Sequence, residues 1–349
     1  DKAEAAVVAV EDARQEGTAS GNWADKTSIG GYAELHYNNL DGDGGASDKK
    51  EIDLHRFVVF LGHEFNENIR FFSEVEIEHA VAGKDQVGEV EVEQAYVEFD
   101  LSDRHGARTG VTLLPVGILN ETHEPPTFYG VERNPVENNI IPATWWAGSV
   151  GLFGEIAAGW SYDLVLHEGL KTSAADGYKP RAGRQKSGKA VAEDLAATAR
   201  VKWTGMAGTE IAGSLQYQSD ITQGVDPAAG SALLYELHAV MERGPFGLRA
   251  LYAMWDLDGA GPASIGADEQ DGFYIEPAYK LTPKLGVFVR YNQWDNAAGS
   301  STDSEQQQWD FGLNWWPHPD VVLKADYQIQ DNENGSEQDG FNLGVGVQF

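Results

Sequence analysis

The sequence predicts an all-β protein, a closed sixteen-stranded antiparallel barrel that crosses a membrane. Three observations predict it. Apolar and polar residues alternate in sixteen runs, the period of a half-buried strand. The connections between runs alternate long and short along the whole chain. The composition is that of a β protein, with 40 Gly, 10 Trp, 13 Tyr and 14 Phe among 349 residues and no cysteine.

Residues 3–15 (AEAAVVAVEDARQ) are rich in Ala and Glu and read as a short helix. Residues 1–27 are assigned to a helical then flexible periplasmic segment, ahead of a barrel over 28–349. The chain opens at Asp1 without a charged, apolar leader, so a signal peptide is either absent or already removed. From Ile29 the period changes to two. GYAELHY (31–37), RFVVFLG (56–62), IRFFSEVEIEH (69–79), VEVEQAYVEF (90–99) and ARTGVTLL (107–114) come first. SVGLFGE (149–155), WSYDLVLHEG (160–169), LAATARVKW (195–203), TEIAGSLQYQ (209–218), LLYELHAVME (233–242) and FGLRALYAMW (246–255) follow. FYIEPAYK (273–280), LGVFVRYNQW (285–294), QQWDFGLNWW (307–316), VVLKADYQIQ (321–330) and FNLGVGVQF (341–349) close the series.

Connections after odd-numbered runs are long and polar: 38–50, 80–88, 115–146, 170–193, 219–232, 256–271, 295–306 and 331–339. Those after even-numbered runs are tight. Outer-membrane barrels have this asymmetry, with short periplasmic turns and longer extracellular loops on an even number of strands. A soluble sandwich has no reason to gather its long loops at one end. Trp145, Trp146, Trp160, Trp203, Trp255, Trp294, Trp309, Trp315 and Trp316 sit at or beside run ends, where interfacial aromatic girdles are expected. The last run ends on Phe349, in phase with Val345 and Val347.

Charge excludes further classes. The 25 Lys and Arg against 55 Asp and Glu give a net charge of −30, which repels a phosphate backbone, so no nucleic-acid partner is expected. Without cysteine there is no disulfide scaffold, zinc ribbon or thiol enzyme. No run approaches the 18 apolar residues of a spanning helix. No GxSxG or HExxH motif occurs, and the histidines near acids (His79, His123, His167) are no more than nine histidines among 55 acids produce by chance. DGDGG (41–45) and DLDGAG (256–261) lack the spaced carboxylates of an EF-hand and read as turns. No enzyme activity, cofactor or metal is therefore assigned.

In a barrel one parity of each strand meets lipid and the other the lumen. Parity sends Arg70, Glu74, Glu76 and Glu78 inward from 69–79, Arg290 from 285–294, and Lys324, Asp326 and Gln328 from 321–330. It also sends Arg108, Arg200, Lys202 and Arg249 inward. Two runs resist. Val90 and Val92 are out of phase with Val97 and Phe99, and His55 is in phase with Phe57 and Val59. A bulge, a subunit interface, or a position of Glu91 and Glu93 above the membrane plane would each produce such a break. Connection 115–146 carries five prolines and the apolar Ile118, Leu119, Phe128, Tyr129, Val131, Ile140 and Ile141, so it is expected to pack inside the barrel as the constriction. Its charges are Glu121, His123, Glu124, Glu132, Arg133 and Glu137. Inward arginines facing these acids would set a transverse field; alternatively Glu132 and Arg133 pair with each other.

The segments DLHRFVVFLGHEFNENIRFFSEVEIEHA (53–80), VEVEQAYVEFD (90–100) and LLPVGILNETHEPPTFYGVERNPVE (113–137) resemble the phosphate-selective porin O and P superfamily. They look closest to the uncharacterised proteobacterial porins grouped with it. The resemblance is densest over 51–170 and implies a sixteen-stranded homotrimer in the outer membrane of a Gram-negative bacterium, with a third loop folded into the lumen. It implies no phosphate specificity, because the lysine ladder of phosphate-selective members has no counterpart here. The expected function is a passive, water-filled channel for small ions and polar solutes. Its surroundings are outer-membrane lipid and lipopolysaccharide. The acidic outer loops (Asp41, Asp43, Asp48, Asp256, Asp258, Asp331, Glu333, Glu337) favour cations. An anion- or substrate-selective channel of the same family is the alternative, and a barrel hydrolase is the rival from another class.

Overall fold

A computed structural model describes residues 23–349. The helix read over 3–15 lies outside them. A 3-10 turn, Trp23–Lys26, leads into β1 (Thr27–Asp43), β2 (Lys49–Asn66), β3 (Ile69–Glu78), β4 (Val90–Ser102) and β5 (His105–Leu113). There follow β6 (Trp146–Ala157), β7 (Trp160–His167), β8 (Ala196–Met206), β9 (Thr209–Gln218), β10 (Ala232–Arg243) and β11 (Phe246–Leu257). The last five are β12 (Glu269–Thr282), β13 (Leu285–Asp295), β14 (Gln306–His318), β15 (Val321–Asn332) and β16 (Glu337–Gln348). Each strand pairs antiparallel with its sequence neighbours, and β1 pairs with β16 to close the barrel. At the seam Gly31 N donates to Phe349 O (3.0 Å) and Phe349 N to Gly31 O (2.9 Å).

The loop asymmetry is sharper than the sequence implies. The seven connections at one end, from 67–68 to 319–320, are two residues each. Positive-φ glycines such as Gly159, Gly208 and Gly244 serve the tight reversals. At the other end the connections are 44–48, 79–89, 114–145, 168–195, 219–231, 258–268, 296–305 and 333–336. The first and last are much shorter than expected, because β1, β2 and β16 continue through polar residues. Asn38, Asn39 and Asp41 keep ladder positions opposite Asn342, Phe341 and Asp339 although no apolar alternation marks them.

Parity holds around the wall. Leu164, Leu215, Leu237, Phe311 and Leu323 lie on the exposed outer face, whereas Glu74, Arg290 and Lys324 are buried inside. Both parity breaks are bulges. Glu34 pairs with Arg56 and Leu35 with Leu54, so His55 is the extra residue; Glu74 pairs with Gln94 and Val75 with Val92, so Glu93 is extra. A bulge re-aims one side chain without breaking the sheet. It accounts for both breaks without a subunit interface, and Glu93 is buried at 2% exposure.

The tryptophan girdle needs correction. Trp160, Trp309 and Trp315 are exposed on the outer face, and Trp203 packs beside Trp160. Trp145, Trp255 and Trp294 instead belong to an apolar cluster inside the barrel. Trp316 reaches inward to Pro126 O (3.2 Å), and Trp146 is buried beneath Arg184 and Lys186. Their rings serve the loop that fills the interior.

Leu237 is near the middle of β10 and 60% exposed on the outer face. Leu237→Arg is expected to destabilise the folded barrel by about 2–4 kcal/mol, the cost of a cation at the bilayer midplane. Equilibrium unfolding in lipid vesicles measures it, and an unchanged stability would mean that this face does not meet hydrocarbon.

Candidate functional site

Connection 114–145, here L3, carries its own small scaffold. Glu137, fully buried, sits in the one-turn helix Val136–Asn139. Its Oε1 accepts from the backbone N–H groups of Ile118 (2.6 Å) and Leu119 (2.7 Å), and its Oε2 accepts from Asn134 Nδ2 (2.9 Å) and Tyr274 Oη (3.0 Å). Asn120 ties the two ends of the loop. Its Nδ2 donates to Leu114 O (2.7 Å) and Trp145 O (2.9 Å), and its Oδ1 accepts from Trp145 N (2.6 Å). A five-proline loop with few backbone partners of its own needs such side-chain substitutes.

The loop is then sewn to the wall. Ile118, Leu119, Ile140, Ile141 and Trp145 pack against Leu234, Leu251, Trp255, Tyr274 and Trp294 of β10–β13. Trp255 Nε1 donates to Ile140 O (2.9 Å) and Ser214 Oγ to Pro115 O (2.9 Å). On the next strands Arg290 Nη1 donates to Tyr129 O (3.3 Å), Asn314 Nδ2 to Phe128 O (2.9 Å), and Val131 N to Asp326 Oδ2 (2.6 Å). Lys324 Nζ stands 3.4 Å from the Phe128 ring centroid. On β16, Gly346 is required, because a Cβ there would fall 2.2 Å from Pro125 Cβ. L3 thus packs its apolar side chains against β10–β13, and it meets charged groups of β1–β4 and β8 elsewhere.

Among these charged contacts, Glu132 accepts from Asn38 Nδ2 (3.0 Å), faces His36 Nδ1 at 3.4 Å and pairs with Lys49 at 3.3 Å. Burial alone would raise its carboxyl, but the His36 hydrogen bond and the His36 and Lys49 charges hold it well below the usual range. Arg133 does not pair with Glu132; its Nη1 donates to Thr144 Oγ1 (2.6 Å). Glu121 pairs with Arg200 of β8, which also holds Asp163 (2.8 Å). Glu124 accepts Thr127 Oγ1 (2.7 Å) on its backbone carbonyl. His123 lies 3.6 Å from Glu74 and 3.7 Å from Glu93, and burial, then Arg133 and Arg56, hold its imidazole down to about 3.

Most inward cations of the wall meet acids of the wall rather than of L3. Arg56 Nε is 2.7 Å from Glu34 and its Nη1 is 3.9 Å from Glu76. Arg290 holds Asp310 (3.0 Å) and Glu276 (3.2 Å). Arg70 holds Glu98 (2.8 Å) and Asp100 (2.6 Å), and Arg108 is 3.5 Å from Glu98 and above the Phe153 ring. Arg249 donates to Thr127 O (2.6 Å). Of the transverse pairings anticipated from sequence, Arg200 with Glu121 is formed.

Sequence reasoning passed over Glu34, His36 and Arg56 as interior groups, although strand parity in 31–37 and 56–62 carries the signal. It also passed over connection 168–195. Arg181 Nη1 from that segment donates to Ala143 O (2.7 Å) and Arg184 Nη1 to Thr144 O (2.5 Å), while Lys186 pairs with Glu89 (2.7 Å) and Glu91. No local pattern announces these contacts.

Space remains on the short-turn side of L3. A cavity of about 430 Å³ lies between Phe128–Tyr129 and the β10–β14 wall, with Arg249, Lys280 and Trp316 in its lining. A second, of about 370 Å³, is lined by Arg108, Glu121, Asp163, Arg200 and Lys202.

Comparison with known proteins gives this arrangement a family. A model of Gram-negative porins matches residues 5–335. An uncharacterised protein of Aquifex aeolicus is 33% identical over 363 aligned positions, covering 92% of this chain and 80% of that protein. Among solved structures, the outer-membrane channel DcaP of Acinetobacter baumannii superposes with a TM-score of 0.66 at 14% identity, over 93% of this chain and 97% of that one. An anion-selective porin from Comamonas acidovorans gives 0.64 at 12% identity, over 93% and 99%. The chain belongs to the Gram-negative porin family: it is a sixteen-stranded barrel of the outer membrane and a passive channel.

Proposed function

We propose that the channel is narrow and cation-leaning, with passage set by the charged seam between L3 and the wall. The observation that carries this reading is the attachment of L3 to strands on opposite sides of the barrel, from Glu132 on β1–β2 to Tyr274 and Trp255 on β11–β12. A loop pinned on both flanks divides the lumen and leaves solutes a path lined by ionisable groups. In such paths diameter and fixed charge decide what passes. The site residues are then Glu121, His123, Glu124, Glu132 and Arg133 of the loop with Arg70, Glu74, Glu76, Arg108, Arg200, Arg249, Arg290 and Lys324 of the wall. Glu137 acts as the internal peg of L3.

The long-loop end faces the cell exterior in this reading, and the two-residue turns face the periplasm. Exposed acids there, among them Asp41, Asp256 and Asp331, concentrate cations at the mouth. The barrel sits in outer-membrane lipid and lipopolysaccharide as a homotrimer, as the resemblance to trimeric porins implies, and performs no catalysis. A second reading, anion preference, is favoured by the inner cavities. Arg108, Arg200 and Lys202 stand against Glu121 and Asp163 in one. Arg249, Lys280 and Lys284 stand against Glu242 and Glu276 in the other. The Comamonas neighbour described as anion-selective is consistent with it.

Planar-bilayer recordings under a KCl gradient decide between them. The expected reversal potential is that of a cation-selective pore, and an anion-selective reversal would reject the cation reading in favour of the inner basic groups. Loss of the peg tests the role of L3. Glu137→Ala leaves two buried backbone N–H groups and Tyr274 Oη without their acceptor, at a cost of about 2–4 kcal/mol. The variant should show larger, noisier single-channel conductance with the barrel intact by circular dichroism. Unchanged conductance would remove L3 from control of the path.

A further inference from the structure

We propose that Glu74, Glu93 and His123 form a binding site for a divalent transition-metal ion of the zinc class, which clamps L3 to strands β3 and β4. Three elements converge here: Glu74 from β3, Glu93 from the bulge in β4, and His123 from L3. One donor atom from each lies within 4.8 Å of the other two. His123 Nε2 is 3.6 Å from Glu74 Oε1 and 3.7 Å from Glu93 Oε2. Bonds of about 2.1 Å to one ion place its ligand atoms roughly 3.4–3.6 Å apart in tetrahedral or trigonal geometry, which the two distances from His123 nearly match.

The hydrogen bonding leaves a gap that a cation would fill. His123 Nδ1 lies 3.2 Å from Asn120 O, and a carbonyl only accepts, so Nδ1 carries the proton. In the neutral ring the Nε2 lone pair then points at two carboxylate oxygens. Those three atoms, Glu74 Oε1, Glu93 Oε2 and His123 Nε2, are all buried and have no hydrogen-bond partner. An imidazolium N–H at Nε2 would not resolve this, since neither oxygen comes within hydrogen-bond reach. Of the two guanidinia nearby, Arg56 pairs with Glu34, and Arg133 donates to Thr144 through Nη1; neither makes a hydrogen bond to Glu74 Oε1 or Glu93 Oε2.

The surroundings orient the donors as an outer shell does. Glu74 Oε2 accepts from Gln94 Nε2 (2.7 Å), leaving Oε1 for the ion. Asn120, which fixes the imidazole, is itself held by Leu114 O and Trp145 O. The Tyr32 ring stands edge-on to His123 at 5.8 Å. Without the bulge at Glu93, the sheet would not send both Glu93 and Gln94 inward. One imidazole and two carboxylates suit Zn²⁺ and leave a coordination position open.

The test uses the folded, full-length protein in detergent, cleared of metal with a chelator. Elemental analysis after Zn²⁺ loading should find a single tightly held ion per chain, and Co²⁺ loading should give the visible absorption of a low-coordinate site. His123→Ala and Glu93→Gln should each weaken Zn²⁺ binding by more than about 100-fold, beyond what loss of an outer-shell contact does. His318→Ala, at the exposed end of β14, should not change it. Glu93→Gln preserves shape, and heat-modifiable gel mobility reports that each variant is folded. The proposal is overturned if the folded wild type takes up no tight ion, protons then balancing the carboxylates. It is overturned equally if both variants bind as the wild type does, the ions then residing in the acidic loops. Neither readout depends on ion conduction, so it stands apart from the selectivity reading.

Discussion

The structure depends on one constraint: each backbone N–H and C=O that crosses hydrocarbon must find its partner inside the protein. Pairing β1 with β16 satisfies it by abolishing the sheet edge, and the two bonds between Gly31 and Phe349 complete the seam. Because β1 and β16 pair antiparallel, the order is antiparallel throughout and the number of strands is even. A division of labour between the ends follows, because two-residue hairpins suffice at one rim and leave the other free to carry long segments. Alternation follows as well, since a strand between lipid and water shows each of them every second residue. The two places where alternation fails, His55 and Glu93, are bulges at which the ladder continues while one side chain is re-aimed.

A closed wall creates a second problem within. Its inner face carries polar and charged groups, and L3 removes many of them from bulk water. Desolvated charges are costly unless paired. The pairings found run mostly around the wall, Arg56 with Glu34 and Arg290 with Asp310 and Glu276, between strands that the ladder already holds in register. Such pairs lose little side-chain freedom in forming. A bond from the wall to L3 must instead order a loop, and L3 meets that cost with apolar burial around Trp255 and with the internal acceptor Glu137. The field across the interior is weaker than a row of arginines facing a row of acids would make it.

What was legible in the sequence is what local periodicity encodes. Strand number, inward parity and the position of L3 all follow from residues two apart or from the lengths between runs. Where a feature depends on a partner far along the chain, the sequence is silent or misleading. Trp160 and Trp255 both end a strand, yet one faces outward and the other packs beneath Ile140 O. Trp160 shares the outward parity of Leu164 and Trp255 the inward parity of Arg249, while the burial of Trp255 under Ile140 needs L3. Arg181 and Arg184 sit in a polar loop like any other, and only the open carbonyls of Ala143 and Thr144 give them a task. At Asn38–Asp43 the strand runs on past the apolar pattern, because ladder hydrogen bonds do not require apolar side chains. The parity break at Glu93 was visible, but its consequence was not, because that needed His123 from a segment thirty residues on.

Two fields act on a passing ion, and salt separates them. The acidic rim is exposed, and at physiological ionic strength its influence falls off within about 8 Å. The groups along L3 are mostly buried, and salt screens them much less. Increasing salt therefore silences the mouth and leaves the seam. A preference that fades with ionic strength belongs to residues such as Asp41 and Asp331. One that persists belongs to charges the seam leaves incompletely matched. Arg133, whose Nε and Nη2 have no hydrogen-bond partner, is the clearest of these on the basic side. Glu74 and Glu93, whose inward oxygens stand open toward His123, are its counterpart. Filling that acidic pair with a divalent ion would leave Arg133 without its acidic counterpart. On the proposals above, occupancy of the loop clamp shifts the ion preference of the channel toward the basic side.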